Sequence, residues 1–196
     1  MRVFLETDRL VLRWFTMADA GNLVSLDADP DVMRFVSGGT PTSPEEIRDE
    51  VLPAFLRYYQ RDEGFGFWAA IEKATGEFLG WFYFRPRAGA APGEAELGYR
   101  LRKSAWGKGY ATEGSRALIS KGFTESGVQR VTAEAMAVNH ASRRVMEKAG
   151  LTLVRTFVQP WPSPGGGQCG VVEYALDKAG WQQQQQGTAA GRCRPG

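Results

Sequence analysis

Histidine and cysteine are almost absent from this chain. His140 is the only histidine, and Cys169 and Cys193 are the only cysteines, among 196 residues. A His/Cys metal centre needs more ligands than these. One structural disulfide is not expected from such a pair, and a reducing cytoplasm fits. Neither cysteine has the neighbours of a nucleophile, so a covalent enzyme intermediate is not expected. Long apolar runs are missing too, and none approaches the roughly 20 residues of a membrane span. Charge within the first six residues, at Arg2 and Glu6, argues against a signal peptide.

Charge of one sign is also lacking overall, since the net is +2. Its distribution is uneven. Residues 1–63 carry 7 Lys/Arg and 12 Asp/Glu, and residues 64–196 carry 17 and 10. An acidic part beside a basic part suits an anionic cofactor and a cationic second substrate. No basic run interleaves with aromatics in the manner of a nucleic-acid-binding sheet, so no nucleic acid partner is expected.

What is present reads as one globular domain over residues 1–181, long enough to bury about 70% of its unfolded surface. Residues 182–196 begin with five glutamines and continue G-T-A-A-G-R-C-R-P-G. That composition builds no core and predicts a disordered tail. Arg9 to Trp14 alternates as a strand, and Thr16 and Ser43 open helices. Pro53 should kink or split the second helix. Phe65–Ile71 and Phe78–Phe84 form an aromatic-rich hairpin around Ala74–Glu77. Strands over 94–102, 130–136, 151–157 and 171–176 complete the sheet. Helices fill 109–127 and 139–149, the second capped by Asn139 and stopped by Gly150. The order predicts an α+β fold around one mixed, mostly antiparallel sheet of about seven strands. The strands flanking the helix that starts at Gly109 should be parallel.

The most informative stretch is Glu96–Gly114, where a strand meets Trp106-Gly-Lys-Gly-Tyr-Ala111 and then a helix. A glycine-flanked turn at a helix start aims backbone N–H groups, and the positive end of the helix dipole, at one spot. Such a spot holds phosphate. A dinucleotide fingerprint would need glycine where Thr112 stands, and a phosphate-loop NTPase would need lysine where Tyr110 stands.

Three segments in order resemble the GNAT superfamily of acyl-CoA-dependent N-acyltransferases. Leu5-Glu-Thr-Asp-Arg-Leu-Val-Leu-Arg13 with Asp19-Ala20 is similar to the opening of its RimJ/RimL-type branch. Trp106–Ala111 is similar to the superfamily's pyrophosphate loop, with Trp106 where Gln or Arg is usual. Asn139-His-Ala-Ser-Arg-Arg-Val-Met-Glu-Lys-Ala-Gly150 is similar to its later N-x-x-S segment. The resemblance covers about residues 5–181. It implies a GNAT-like sheet splayed between two central parallel strands, and acetyl-CoA as co-substrate. The pyrophosphate would lie on Gly107, Lys108, Gly109, Tyr110 and Ala111, and the pantetheine arm along Leu101, Arg102 and Lys103. A bulge near Gly98–Arg100 would free a backbone N–H for the thioester carbonyl.

By the same resemblance Asn139 would hold the pantetheine amide, besides or instead of capping its helix. Ser142 would protonate the leaving thiolate. Arg144, with Arg143, could reach the ribose 3′-phosphate or lie on a solvated face. An amine must lose a proton before attack, so a carboxylate base is expected. Glu96 is the first candidate, with Glu134 and Glu173 as rivals. The implied reaction is direct acetyl transfer to a primary amine, either a protein N-terminus or a small molecule. The alternative is a non-catalytic acyl-CoA-binding sensor of the same fold. A monomer or a homodimer would serve, and no membrane partner is expected.

Overall fold

The computed structural model describes residues 2–60, 64–87, 89, 91–160 and 167–192, with side chains described up to residue 187. Eight strands form one sheet in the order β1-β2-β3-β4-β5-β6-β8-β7. They are β1 (Val3–Glu6), β2 (Leu10–Trp14), β3 (Gly66–Glu72), β4 (Phe78–Pro86), β5 (Glu94–Leu101), β6 (Arg130–Met136), β7 (Thr152–Pro160) and β8 (Gln168–Asp177). Neighbours pair antiparallel except β5 and β6, which are parallel. The extra strand relative to the expected seven is β1. It gains its place by stacking Phe4 on Trp68, with centroids 4.0 Å apart.

Alternation along the central strands sorts two cores. Trp68, Phe82, Phe84, Ala95, Leu97 and Leu101 face one side. There they meet α5 (Tyr110–Thr124) through Leu118, Ile119 and Phe123, and α6 (His140–Lys148) through Met146. Phe67, Ala69 and Trp81 face the other side. They are covered by α1 (Ala20–Asp27), the short α2 (Pro30–Met33) and α4 (Leu52–Tyr58), while α3 (Pro44–Glu46) buries no side chain. The Arg13 guanidinium grips Asp19 at 2.6 and 2.8 Å, tying β2 to the start of α1.

The helical run over residues 44–58 changes type just before Pro53, which sits in the first turn of α4. A π-helical segment, Ile47–Val51, joins α3 to α4. Widening the turn just before Pro53 accommodates the N–H that proline lacks. The tail departs further from expectation, for Lys178–Arg192 is a helix, α7. Trp181 anchors it on Phe123 at 5.5 Å, and Gln184 donates to the Gly150 carbonyl at 3.0 Å. Glutamine is a good helix former once one end is fixed. Cys193 lies outside the described residues, and Cys169 is buried with a free thiol.

Candidate active site

Strands β5 and β6 pair only at Glu94↔Arg130, Ala95↔Val131 and Glu96↔Thr132. Past that point β5 continues to Leu101 and β6 to Met136 without meeting. The opening between them is a cleft of about 580 Å³. No bulge accompanies it, because β5 keeps unbroken register with β4 from Pro86↔Ala95 to Gly80↔Leu101. The parting of the strands supplies what the expected bulge was meant to supply. Arg102 N–H donates to Leu79 O at 2.8 Å and Arg87 N–H to Glu94 O at 3.4 Å. Alternate β5 residues therefore turn their backbone to β4, and Leu97, Tyr99 and Leu101 turn theirs to the gap. The Trp106 indole N–H takes the Leu101 carbonyl at 2.8 Å. Trp106 thus shapes the turn, and the Tyr99 N–H is left facing the cleft.

The glycine turn closes one end. Gly107 and Gly109 have φ of 72° and 87°, a left-handed region that other residues rarely enter. Gly109 is the N-cap of α5, so the N–H groups of Gly109, Tyr110, Ala111 and Thr112 have no acceptor within the helix. Gly107, Gly109, Ala111 and Thr112 line the cleft. The Tyr110 side chain does not, because it is buried with its hydroxyl on Glu72. Lys108 contributes its carbonyl to Arg9 at 2.9 Å. Leu101 lines the cleft, but the Arg102 and Lys103 side chains are committed elsewhere, to Glu77 and Asp31 at 2.5 Å each. The sequence reading put all three along the pantetheine arm. Of the three, Leu101 alone lines the cleft, and the Arg102 N–H is taken by Leu79 O.

The N-terminal motif, read above only as a resemblance, braces this turn. Thr7 Oγ1 donates to Glu113 Oε1 at 2.6 Å, and Arg9 N–H donates to the same oxygen at 2.9 Å. Arg9 Nε reaches Glu113 Oε2 at 2.7 Å, and its guanidinium lies 4.5 Å from the Tyr110 ring centroid. Burial pushes the Glu113 carboxyl up, but the bonds from Thr7 and Arg9 outweigh it and hold it below its ordinary value. The long-range partner of Arg9 gives no sequence signal, since it lies more than 100 positions away.

Helix α6 forms the second wall. Asn139 Oδ1 accepts from Ser142 N–H at 3.1 Å, so the asparagine is a helix cap, and it also lines the cleft. Ser142 Oγ lies 3.0 Å from the Tyr99 hydroxyl. Burial pushes the Tyr99 phenol up to about 12, against the opposing hydrogen bond to Ser142. Arg143 turns away to the Ala137 carbonyl and the Tyr174 hydroxyl. Arg144 is exposed at the cleft margin.

Across the sheet, on the face that carries α1–α4 and beside Tyr58 of α4, stand the three carboxylates. Glu96 receives the Tyr83 hydroxyl at 2.6 Å on one oxygen and Arg85 Nη2 at 3.1 Å on the other. Tyr83 can lie flat over β5 because its partner is Gly98, where a Cβ would fall 2.1 Å from the ring. Burial and the Glu96 charge hold the Tyr83 phenol far above its ordinary value. Glu173 is buried and shared by Arg87 and Arg155 at 2.9 and 2.7 Å. Burial raises its carboxyl, but the two guanidinium groups prevail and lower it.

Glu134 differs from both. Burial, with the charges of Glu173 and Glu96 close by, raises its carboxyl despite Arg87 at 2.7 Å. Among the described residues it is the one carboxylate lining both the cleft and a side pocket of about 280 Å³. Sequence reading gave no role to Tyr99 or Arg85. The pairing of β4 with β5 sets Tyr83 opposite Gly98, and the contact from Tyr99 to α6 had no local signature.

Comparison with known proteins agrees with this geometry. The family described as "Acetyltransferase (GNAT) domain" matches residues 9–152. The chain is 34% identical over 195 residues to an FsC-acetyl coenzyme A-N(2)-transacetylase of Aspergillus fumigatus, covering 92% of this chain and 79% of that one. It is 35% identical over 164 residues to the uncharacterized protein YkkB of Bacillus subtilis, covering 82% and 91%. Among solved structures, a GNAT-family acetyltransferase from Bacillus anthracis superposes with a TM-score of 0.74 at 24% identity, over 91% of this chain and 99% of that one. RimL, an acetyltransferase of ribosomal protein L7/L12 solved with coenzyme A, does so with 0.76 at 21%, over 90% and 98%. With a sheet parted between its two parallel strands and a glycine turn at the mouth of the opening, the chain belongs to the GNAT superfamily, whose acetyltransferases draw their acetyl group from acetyl-CoA.

Proposed function

We propose that this chain transfers acetyl directly from acetyl-CoA to the primary amine of a small molecule, in a reducing cytoplasm. The observation that carries the proposal is the cleft itself. One end holds helix N–H donors for the pyrophosphate, and Glu134 stands where the cleft meets the side pocket. The amine attacks the thioester carbon, the C–N bond forms, and the C–S bond breaks. The Tyr99 N–H donates to the developing oxyanion. Ser142, backed by Tyr99, returns a proton to the thiolate.

In this reading the base is Glu134, in place of the Glu96 expected from the sequence. Glu96 spends both oxygens on Tyr83 and Arg85, whereas Glu134 Oε1 alone is engaged by Arg87. A carboxyl raised above its ordinary value is also the stronger base when ionised. In this reading Glu96 positions Tyr83 and Arg85. A protein N-terminus as acceptor fits less well, because a pocket near 280 Å³ is at the small end of ligand sites.

The test follows thiol release from acetyl-CoA across a panel of small amines and short peptides. Release with at least one small amine supports the reading. Tight acetyl-CoA binding with no release from any amine would favour a non-catalytic sensor.

A further inference from the structure

The side pocket carries more information than the position of a base. Its lining is Tyr58, Arg85, Pro86, Arg87, Glu96 and Glu134, and it meets the main cleft at Glu134 and at the Tyr83–Glu96 contact. Both signs of charge stand in it, and they are not equally satisfied. Arg87 reaches three carboxylates, Glu94, Glu134 and Glu173. Arg85 reaches a single carboxylate, Glu96, through Nη2 at 3.1 Å, and also meets the Tyr58 hydroxyl and the Tyr83 ring, with its side chain 37% exposed. Its Nε is buried with no acceptor. A guanidinium carries five N–H donors in a fixed fork that matches a carboxylate. A buried donor left without an acceptor costs free energy.

On the acceptor side, Glu134 has Oε1 on Arg87, with the Glu173 carboxyl beside it. The pocket therefore offers the exposed part of the Arg85 guanidinium and the Glu134 carboxylate, across one intervening strand. Strands lie about 4.8 Å apart, so the two backbones are roughly 10 Å apart and the side chains converge from there.

We propose that the side pocket is the acceptor subsite, and that the acceptor is a small amino acid-like molecule carrying a carboxylate beside its reactive amine. Arg85 takes the carboxylate and Glu134 receives the ammonium and then its proton. The proposal rests on the acetyl transfer above and names its substrate class. A plain amine would make no use of the cation that Arg85 presents to the pocket. The pocket volume limits the occupant to roughly amino-acid size.

The experiment uses the full chain and acetyl-CoA, with thiol release as readout. Lysine, ornithine, methionine and phenylalanine are each compared with their carboxamide and their decarboxylated amine. At least one acid should exceed both neutral analogues by tenfold or more in kcat/KM, mainly through KM. In Arg85→Gln the acid-to-carboxamide ratio should fall to about one. The wild-type ratio stands even should that variant fold poorly.

Equal rates for acids and carboxamides would overturn the inference while leaving acetyl transfer intact. So would turnover confined to amines without a carboxylate, or a loss in Arg85→Gln that is the same for both series. Failure of every amine, in this panel and the wider one, would strike the acetyl-transfer reading itself.

Discussion

The Tyr99 hydroxyl lies 3.0 Å from Ser142 Oγ and joins the strand that floors the cleft to the helix that walls it. Either oxygen can donate, so in the proposed reaction the pair would relay a proton to Ser142. With Tyr99 pushed up to about 12, it stays protonated across the neutral range. Ser142→Ala should lower kcat about tenfold or more with little change in the KM for acetyl-CoA, because leaving-group protonation acts in the transition state. Tyr99→Phe should lower kcat in the same direction. The double variant should be no worse than the poorer single one, since coupled groups are not additive. Steady-state kinetics on the three variants decides this. A raised KM with unchanged kcat would make Ser142 a binding residue.

Thr7, Arg9 and Glu113 should act on the phosphates alone. Arg9→Met leaves the Glu113 carboxylate unneutralised in the first turn of α5, beside the pyrophosphate turn. The KM for acetyl-CoA should rise about tenfold, and Glu113→Gln in the same chain should recover part of the loss. S-acetylpantetheine, which lacks the pyrophosphate, should be used equally well by wild type and variant. An equal loss with both donors would mean that Arg9 serves only folding.

Glu134 and Glu96 separate by pH. A general base works ionised, so the rate should rise as pH climbs through the Glu134 pKa, which lies above the ordinary carboxylate value. Glu134→Gln should remove that limb and lower the rate by roughly 10²–10⁴-fold. Glu96→Gln should keep the limb and show a weaker, mainly KM defect for the acceptor. The reverse pattern in the two pH–rate profiles would return the base to Glu96.

Stability should respond at Arg13 and Asp19. The two side chains are 14% and 4% exposed, and removing one partner strands the other. Asp19→Ala should cost about 3 kcal/mol in urea unfolding. Burial raises the Asp19 carboxyl, but the bonds from Arg13 and Thr16 prevail and hold it below its ordinary value. A lowered folded-state pKa gives stability above the unfolded value near 4 that is lost as pH falls through the folded value. Wild type should lose that part of its stability on acidification below about pH 4, and Asp19→Ala should not.

The sequence carried the strand order, the hairpin, the single parallel pair and the glycine turn, because each has a local signature. Periodicity marked the strands, and a helix between two of them required a parallel pair. The glycines at 107 and 109 announced a backbone that other residues rarely adopt. What escaped was set by long-range contacts. The Arg9–Glu113 and Tyr99–Ser142 contacts join residues far apart in the chain, and no spacing rule finds them. The bulge was expected where the strands merely part. The glutamine tract was read as disordered because composition does not show Trp181 docking on Phe123. Glu96 was the natural base from its strand position alone, and only the geometry shows its two oxygens already taken.

The central claim is that the turn from Gly107 to Ala111 holds the pyrophosphate of acetyl-CoA. Titration calorimetry of acetyl-CoA into wild type and Gly109→Val tests it most directly, with thermal melting of both proteins to confirm that the variant folds. At Gly109 φ is 87° and an added Cβ would stand 3.3 Å from the Arg9 guanidinium, so valine must disturb the N–H donors and their brace. The account predicts wild-type binding and a loss of at least tenfold in the folded variant, with S-acetylpantetheine used alike by both. Equal acetyl-CoA affinities in wild type and a folded Gly109→Val would contradict it.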